Sequence, residues 1–166
     1  MVYVVAVFVA AIDQTIKWII STHMAVNSSI PIWPNVLELL YVQNSGAAFS
    51  ILLNQTALLI VVALVVIGVI IYVDRRYAHH QLRLQIALGL LLGGALGNLI
   101  DRIRLGYVID YVYIEAIHYP VFNFADSCIV VSVIYLVFRA WRARDQEVPN
   151  PTDAAGTQEA NHGESQ

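Results

Sequence analysis

The chain has 166 residues, of which 58% are hydrophobic and only 13% charged, against about 45–50% apolar and about 25% charged in soluble domains. Its mean hydropathy of +0.66 and long apolar runs exclude a disordered chain, and the length suits one domain. Nine Lys and Arg against 12 Asp and Glu give a net charge of −3, with no basic stripe to follow a nucleic acid.

Crossing about 30 Å of hydrocarbon takes about 20 apolar residues in a helix, and helices are the open-chain way to satisfy backbone groups there. Four stretches meet or nearly meet that demand, at 1–20, 57–73, 84–100 and 124–141. The expected fold is therefore an all-α membrane protein with four transmembrane helices. A cleavable secretory signal is the competing reading of the first stretch. No basic region precedes it, and Asp13 and Lys17 interrupt it, which favours a retained span.

Between the first two spans, residues 21–56 form no third one. Asn27, Ser28 and Ser29 read as a turn, and Pro31 and Pro34 punctuate the chain. Val36–Val42 is β-branched, leucine or tyrosine with Glu38 as its one charge, which predicts a strand at the membrane interface. Asn44-Ser45-Gly46 then breaks it. The second and third spans are joined by Arg75, Arg76 and Arg83, and the chain's end carries Arg139, Arg142 and Arg144. The other side holds Lys17, Arg102 and Arg104, so basic residues divide six to three. That bias places both termini in the cytoplasm, with 21–56 and 101–123 facing outward. The segment 145–166 is acidic and poor in large apolar residues, so it reads as a disordered tail behind a membrane domain at 1–144.

Charges within apolar spans are expensive and mark function by default. Asp13, Asp101 and Asp126 touch the spans, and Asp110 lies in the outer connection between the third and fourth, so four carboxylates collect at one depth. Each has a structural alternative. Asp13 and Lys17, spaced i, i+4, can pair on one helix face and let it carry two charges into lipid. Asn98, Asp101 and Arg102 can form a polar helix end, and Asn123 with Asp126 can cap the fourth helix. Gly89, Gly93 and Gly97 share a helix face that another helix can approach closely. Asp110 sits in the aromatic run Tyr107–Ile114 with no basic neighbour nearer than Arg104, where a carboxyl is poorly solvated and its pKa should rise.

Other chemistries fit less well. His23, His79, His80, His118 and His162 give no metal-ligand spacing, so no metal or cofactor is expected. Lys17 is placed to stay charged beside Asp13, against a Ser–Lys dyad. The single cysteine, Cys128, excludes an intrachain disulfide framework and has no evident activating base. Two aspartates sharing a proton remain, and such a pair can hydrolyse a peptide bond without metal.

Five blocks then carry a family likeness: Asp13-Gln14-Thr15-Ile16-Lys17, Asn44-Ser45-Gly46-Ala47-Ala48-Phe49, the run Gly94–Arg102, Gly106-Tyr107-Val108-Ile109-Asp110, and Phe122–Ser127. The chain resembles the bacterial lipoprotein signal peptidases, the type II signal peptidases. That resemblance implies an aspartic endopeptidase of the bacterial inner membrane that cuts diacylglyceryl-modified prolipoproteins just before the lipidated cysteine. It implies Asp110 and Asp126 as the catalytic pair. Asp13, Lys17, Asn98, Arg102 and Asn123 match residues that support the site, and Asn44, Gly46 and Phe49 match an outer cradle over the substrate. It also implies inhibition by cyclic peptides of the globomycin type. The acidic tail and the lack of an N-terminal basic stub depart from the family pattern without touching these positions. Residue environment alone does not separate Asp101 from Asp110; the expectation is that the neighbouring Arg102 neutralises Asp101, leaving Asp110. A small transporter component using intramembrane carboxylates as a proton relay is the alternative, but the inner halves of the spans carry no titratable steps for one.

Overall fold

The computed structural model describes residues 1–46, 55–78 and 81–147; Ala47-Ala48-Phe49, His79, His80 and the tail from 148 lie outside the described residues. Four helices are long and apolar enough to cross a membrane: α1 (Val2–His23), α2 (Thr56–Tyr77), α3 (Leu82–Leu105) and α4 (Phe124–Glu147). Each runs beyond its apolar stretch. Arg75 and Arg76 close α2, and Arg102 and Arg104 close α3, where cations suit the carboxyl end of a helix dipole. Gly106 stops α3 with a left-handed φ of +83°, a conformation glycine adopts without a Cβ penalty. α4 continues to Glu147, past the expected end of the fourth span.

α3 packs against both α1 and α2. The buried face of α1 is Val2, Ala6, Val9, Asp13, Lys17 and Ile20, spaced three and four apart as one stripe. Val4, Val7, Phe8 and Trp18 point outward, as a lipid-facing surface requires. The glycine stripe of α3 receives α1 of the same chain: a Cβ on Gly89 would meet Val5 Cβ at 2.6 Å, and one on Gly93 would meet Val9 Cβ at 2.6 Å. At Gly97 a Cβ would fall 2.5 Å from Asp13 Oδ2. Gly97→Ala is therefore expected to cost about 1–3 kcal/mol by overpacking, read as a lower Tm of the purified protein in detergent. Gly68→Ala, with nothing within 4 Å of the new methyl, should leave Tm unchanged or raised. Equal Tm values for the two variants would overturn the close approach.

A three-stranded antiparallel sheet sits at the carboxyl ends of α1 and α3. Its order is β1 (Ser29–Trp33), β2 (Leu37–Asn44), β3 (Val108–Tyr113). The expected strand is β2, shifted by one or two residues. β3, within the aromatic run, is an addition: it belongs to the connection between α3 and α4, so the β-rich part is not confined to the segment between α1 and α2. Val42 pairs with Asp110 and Asn44 with Val108, beyond a register shift between Leu39 and Val42. Ile109, Tyr111, Tyr41 and Ile20 form a buried core that seats the sheet on α1. After β3, a single 3₁₀ turn at Glu115–Ile117 leads to Phe122, which bridges back to Val112 and delivers the chain to the start of α4.

By contacts the chain divides into Met1–Val133 and Ile134–Gln166. All the residues of the site below belong to the first unit. In the second, the Phe138 and Trp141 rings lie 6.2 Å apart and the Arg142 guanidinium 5.9 Å from the Phe138 ring centroid. Aromatic and basic side chains so combined suit a helix end at a membrane–water boundary.

Candidate active site

Lys17 is 1% exposed and Asp13, one turn earlier, 0%. Charges so deeply buried persist only when paired and hydrogen-bonded. The three protons of the ammonium find three acceptors: Asp13 Oδ2 at 2.9 Å, Asp101 Oδ2 at 2.9 Å and Asn98 Oδ1 at 3.0 Å. The expected Asp13–Lys17 pair thus forms, but it faces the protein interior and shares its lysine with α3. Asp101 also accepts from Gln14 Nε2 at 2.8 Å and from the Ile109 N–H at 3.1 Å. One carboxylate therefore ties α1, α3 and β3 together.

Among the described residues the ion-pair partner of Asp101 is Lys17, and Arg102 makes no ion pair with it, contrary to expectation. Adjacent residues on a helix diverge by about 100°, so i and i+1 cannot face each other. Arg102 instead donates to the Gly46 carbonyl at 3.0 Å and more weakly to the Asn98 carbonyl at 3.5 Å. Its charge also reaches Asp126, then Asp110 and Asp101.

The first turn of α4 has orphan backbone donors that must be satisfied, and several elements supply the acceptors. Asn123 and Asp126 cap each other reciprocally: the Asp126 N–H donates to Asn123 Oδ1 at 2.9 Å, and the Asn123 N–H to Asp126 Oδ2 at 3.1 Å. This is a capping box with aspartate in the glutamate position. The Phe124 N–H donates to the Tyr111 hydroxyl at 3.1 Å and the Ala125 N–H to Asp13 Oδ1 at 3.0 Å. Burial raises the Tyr111 phenol well above its usual range, so it remains a neutral hydroxyl.

Asn123 joins the two candidate catalytic aspartates. Its side-chain amide donates to Asp110 Oδ1 at 2.7 Å and to Asn98 Oδ1 at 3.1 Å, while its own N–H holds Asp126. Asn98 in turn donates to Asp126 Oδ1 at 2.7 Å. Asn44 closes the far side: its amide nitrogen donates to Asp110 Oδ2 at 2.8 Å, and its oxygen accepts the Gly46 N–H at 2.9 Å. Asp110 is 2% exposed. Burial first, then the charge of Asp126, pushes its carboxyl up to about 7, with the Asn44 and Asn123 amides opposing. A carboxyl of that kind is poised to exchange a proton near neutrality.

A family model for signal peptidase (SPase) II matches residues 5–142. The chain belongs to the signal peptidase II family. Lipoprotein signal peptidases of Streptococcus pyogenes serotypes M3 and M5 are 41% and 40% identical to it over 139 residues, 84% of this chain and 91% of each relative. Two solved structures, each described as a bacterial membrane enzyme, superpose with TM-scores of 0.84 and 0.77 at 30% and 33% identity. They cover 90% and 84% of this chain, and 92% and 91% of their own. The resemblance carried by the five blocks is thereby borne out, and the chain is a membrane peptidase; the relay reading is not favoured.

For this signal peptidase II family member, Asp13, Lys17, Asn44, Gly46, Asn98, Asp101, Arg102, Asp110, Asn123 and Asp126 all fall in one hydrogen-bonded cluster. Phe49 lies outside the described residues. Two contributors were not singled out from sequence. Gln14 stood inside a recognised block, and its signal was an uncharged amide in an apolar helix beside Asp13. Tyr111 was one tyrosine of an aromatic run, and nothing local marks it as the acceptor for α4.

Proposed function

We propose that the chain is an aspartic endopeptidase that removes the signal peptide from diacylglyceryl-modified prolipoproteins, cutting just before the lipidated cysteine. The observation that carries the reading is Asn123, whose amide and backbone N–H hold Asp110 and Asp126 from one residue. Two carboxyls so joined share one proton. The ionised member takes a proton from water as the water oxygen attacks the scissile carbonyl. The protonated member gives its proton to the carbonyl oxygen. As the C–N bond breaks, the proton taken from water passes to the departing amine, and a hydroxyl proton of the tetrahedral intermediate returns to the carboxyl that gave it as the C=O re-forms.

Both termini lie in the cytoplasm in this reading, and the site opens at the outer face of the bacterial inner membrane, supported by the division of basic residues. Each acyl CH₂ adds about 0.8 kcal/mol of membrane affinity, so a diacylated substrate stays in the leaflet and arrives sideways. Cyclic peptides of the globomycin type belong to the same reading as inhibitors. Purified protein is expected to cleave lipidated prolipoprotein and leave the unlipidated form intact. Equal cleavage of both, or of neither, would overturn it.

A further inference from the structure

Hydrogen-bond polarity runs one way through the centre of the cluster. An ammonium has no acceptor, so the Asn98 atom facing Lys17 at 3.0 Å is its carbonyl oxygen. That fixes the other end: the Asn98 NH₂ faces Asp126 Oδ1 at 2.7 Å. The second Asp126 oxygen receives the Asn123 N–H, and the whole group sits in the first turn of α4, where the dipole favours a negative charge. Asp110 lies on a strand with no such dipole and is the more buried of the two.

We propose that Lys17 and Asn98 form a polarity-setting pair: the buried ammonium turns the Asn98 amide so that Asp126 stays the ionised base, and the proton of the pair resides on Asp110. Neither residue touches the substrate; both are positioning residues. The assignment rests on the aspartic reading above and adds which aspartate does what. Asp126 deprotonates the attacking water, and Asp110 protonates the carbonyl oxygen. Among the described residues the charged and titratable groups around them are Lys17 and Asp13 from α1, Asp101 and Arg102 from α3, and Tyr111 from β3. The deep burial of Asp110, whose carboxyl is pushed up to about 7, supports the same distribution.

The test is the pH profile of kcat/KM on lipidated substrate, for the wild type and for Asn98→Ala, Asn98→Asp and Asn44→Ala. In the wild type, activity falls on the alkaline side as Asp110 loses its proton near pH 7. Asn98 steadies the Asp126 carboxylate, which is ionised both in the active form and in the fully deprotonated one. Asn98→Ala is therefore expected to lower kcat/KM and to leave the alkaline limb in place. Asn98→Asp keeps an acceptor for Lys17 but sets a further carboxylate beside Asp126 and near Asp110, so it should move the alkaline limb up. Asn44 steadies the ionised Asp110, so Asn44→Ala should move the alkaline limb up. In well-folded variants, an alkaline limb that moves in Asn98→Ala, or that stays in place in Asn44→Ala, would overturn the assignment. Should these variants fail to fold, infrared spectra at pH 6 decide: a protonated-carboxyl band is expected to vanish in Asp110→Asn and survive in Asp126→Asn, and the reverse result sinks the proposal. Full activity in both aspartate variants would sink the aspartic reading itself.

Discussion

Asp110→Asn and Asp126→Asn are each expected to cut cleavage of the lipidated substrate by about 10²–10⁴-fold, the usual contribution of a general acid or base, while the inserted, folded protein stays near the wild-type amount. The side chains are isosteric, so packing is preserved. Among the described residues Asp110 accepts from the Asn44 and Asn123 amides, and one of those bonds survives in the variant. Asp126→Asn gives up an oxygen acceptor and weakens the reciprocal cap, at about 1 kcal/mol, too little to unfold a domain stable by about 5–15 kcal/mol. The double variant should be no slower than the worse single one, because residues acting as a unit lose their effect together. Asp101→Asn should behave differently. Asp101 holds Lys17, Gln14 and the Ile109 N–H, so its loss lowers chiefly the amount of folded protein. Normal turnover by Asp110→Asn, with Asp101→Asn inserted but inactive, would move the chemistry to Asp101.

That contrast also measures what the sequence could disclose. The four helices were legible because each is a local apolar run whose length matches a bilayer, and their ends erred only where polar residues continue a helix to its stop signal, as at Gly106. The clustering of acids was legible because depth follows from span boundaries alone. Asp101's partner was not: it is Lys17, 84 positions earlier, and adjacency to Arg102 misled because neighbours on a helix point apart. β3 was missed for a related reason. Its identity as a strand depends on pairing with β2, far back in the chain, and Asp110 interrupts its apolar alternation. Asn98 read as a polar helix end, whereas its place between Lys17 and Asp126 emerges only once α1, α3 and α4 are together. The glycine stripe announced a close helix contact without naming the helix, and the structure supplies α1.

The second large effect concerns stability rather than turnover. Lys17→Met is expected to cost about 3–5 kcal/mol, the range for removing one partner of a buried ion pair. The stem is replaced at similar volume, so the loss is electrostatic. Asp13, 0% exposed, would keep the Ala125 N–H at 3.0 Å, and Asp101 would keep Gln14 and Ile109, yet neither would face a cation at 2.9 Å. Two like charges would then share an enclosed space between α1 and α3, and a Gly97 surface without a Cβ offers no room for them to separate. Detergent-purified Lys17→Met should yield little folded material, with Tm lowered by more than in Gly97→Ala. Adding Asp101→Asn to Lys17→Met removes one of the stranded carboxylates and should restore part of the loss, by a coupling a double-mutant cycle can measure. A wild-type Tm for Lys17→Met, or strictly additive losses in the double variant, would show that the lysine node does not hold α1 to α3. Apolar replacement of the whole triad could recover stability, as buried ion pairs elsewhere allow, but it would leave the Asn98 carbonyl without the ammonium that orients it. On the proposed reading, retention of three charges in the protein interior is thus explained by what they position as well as by the stability they add.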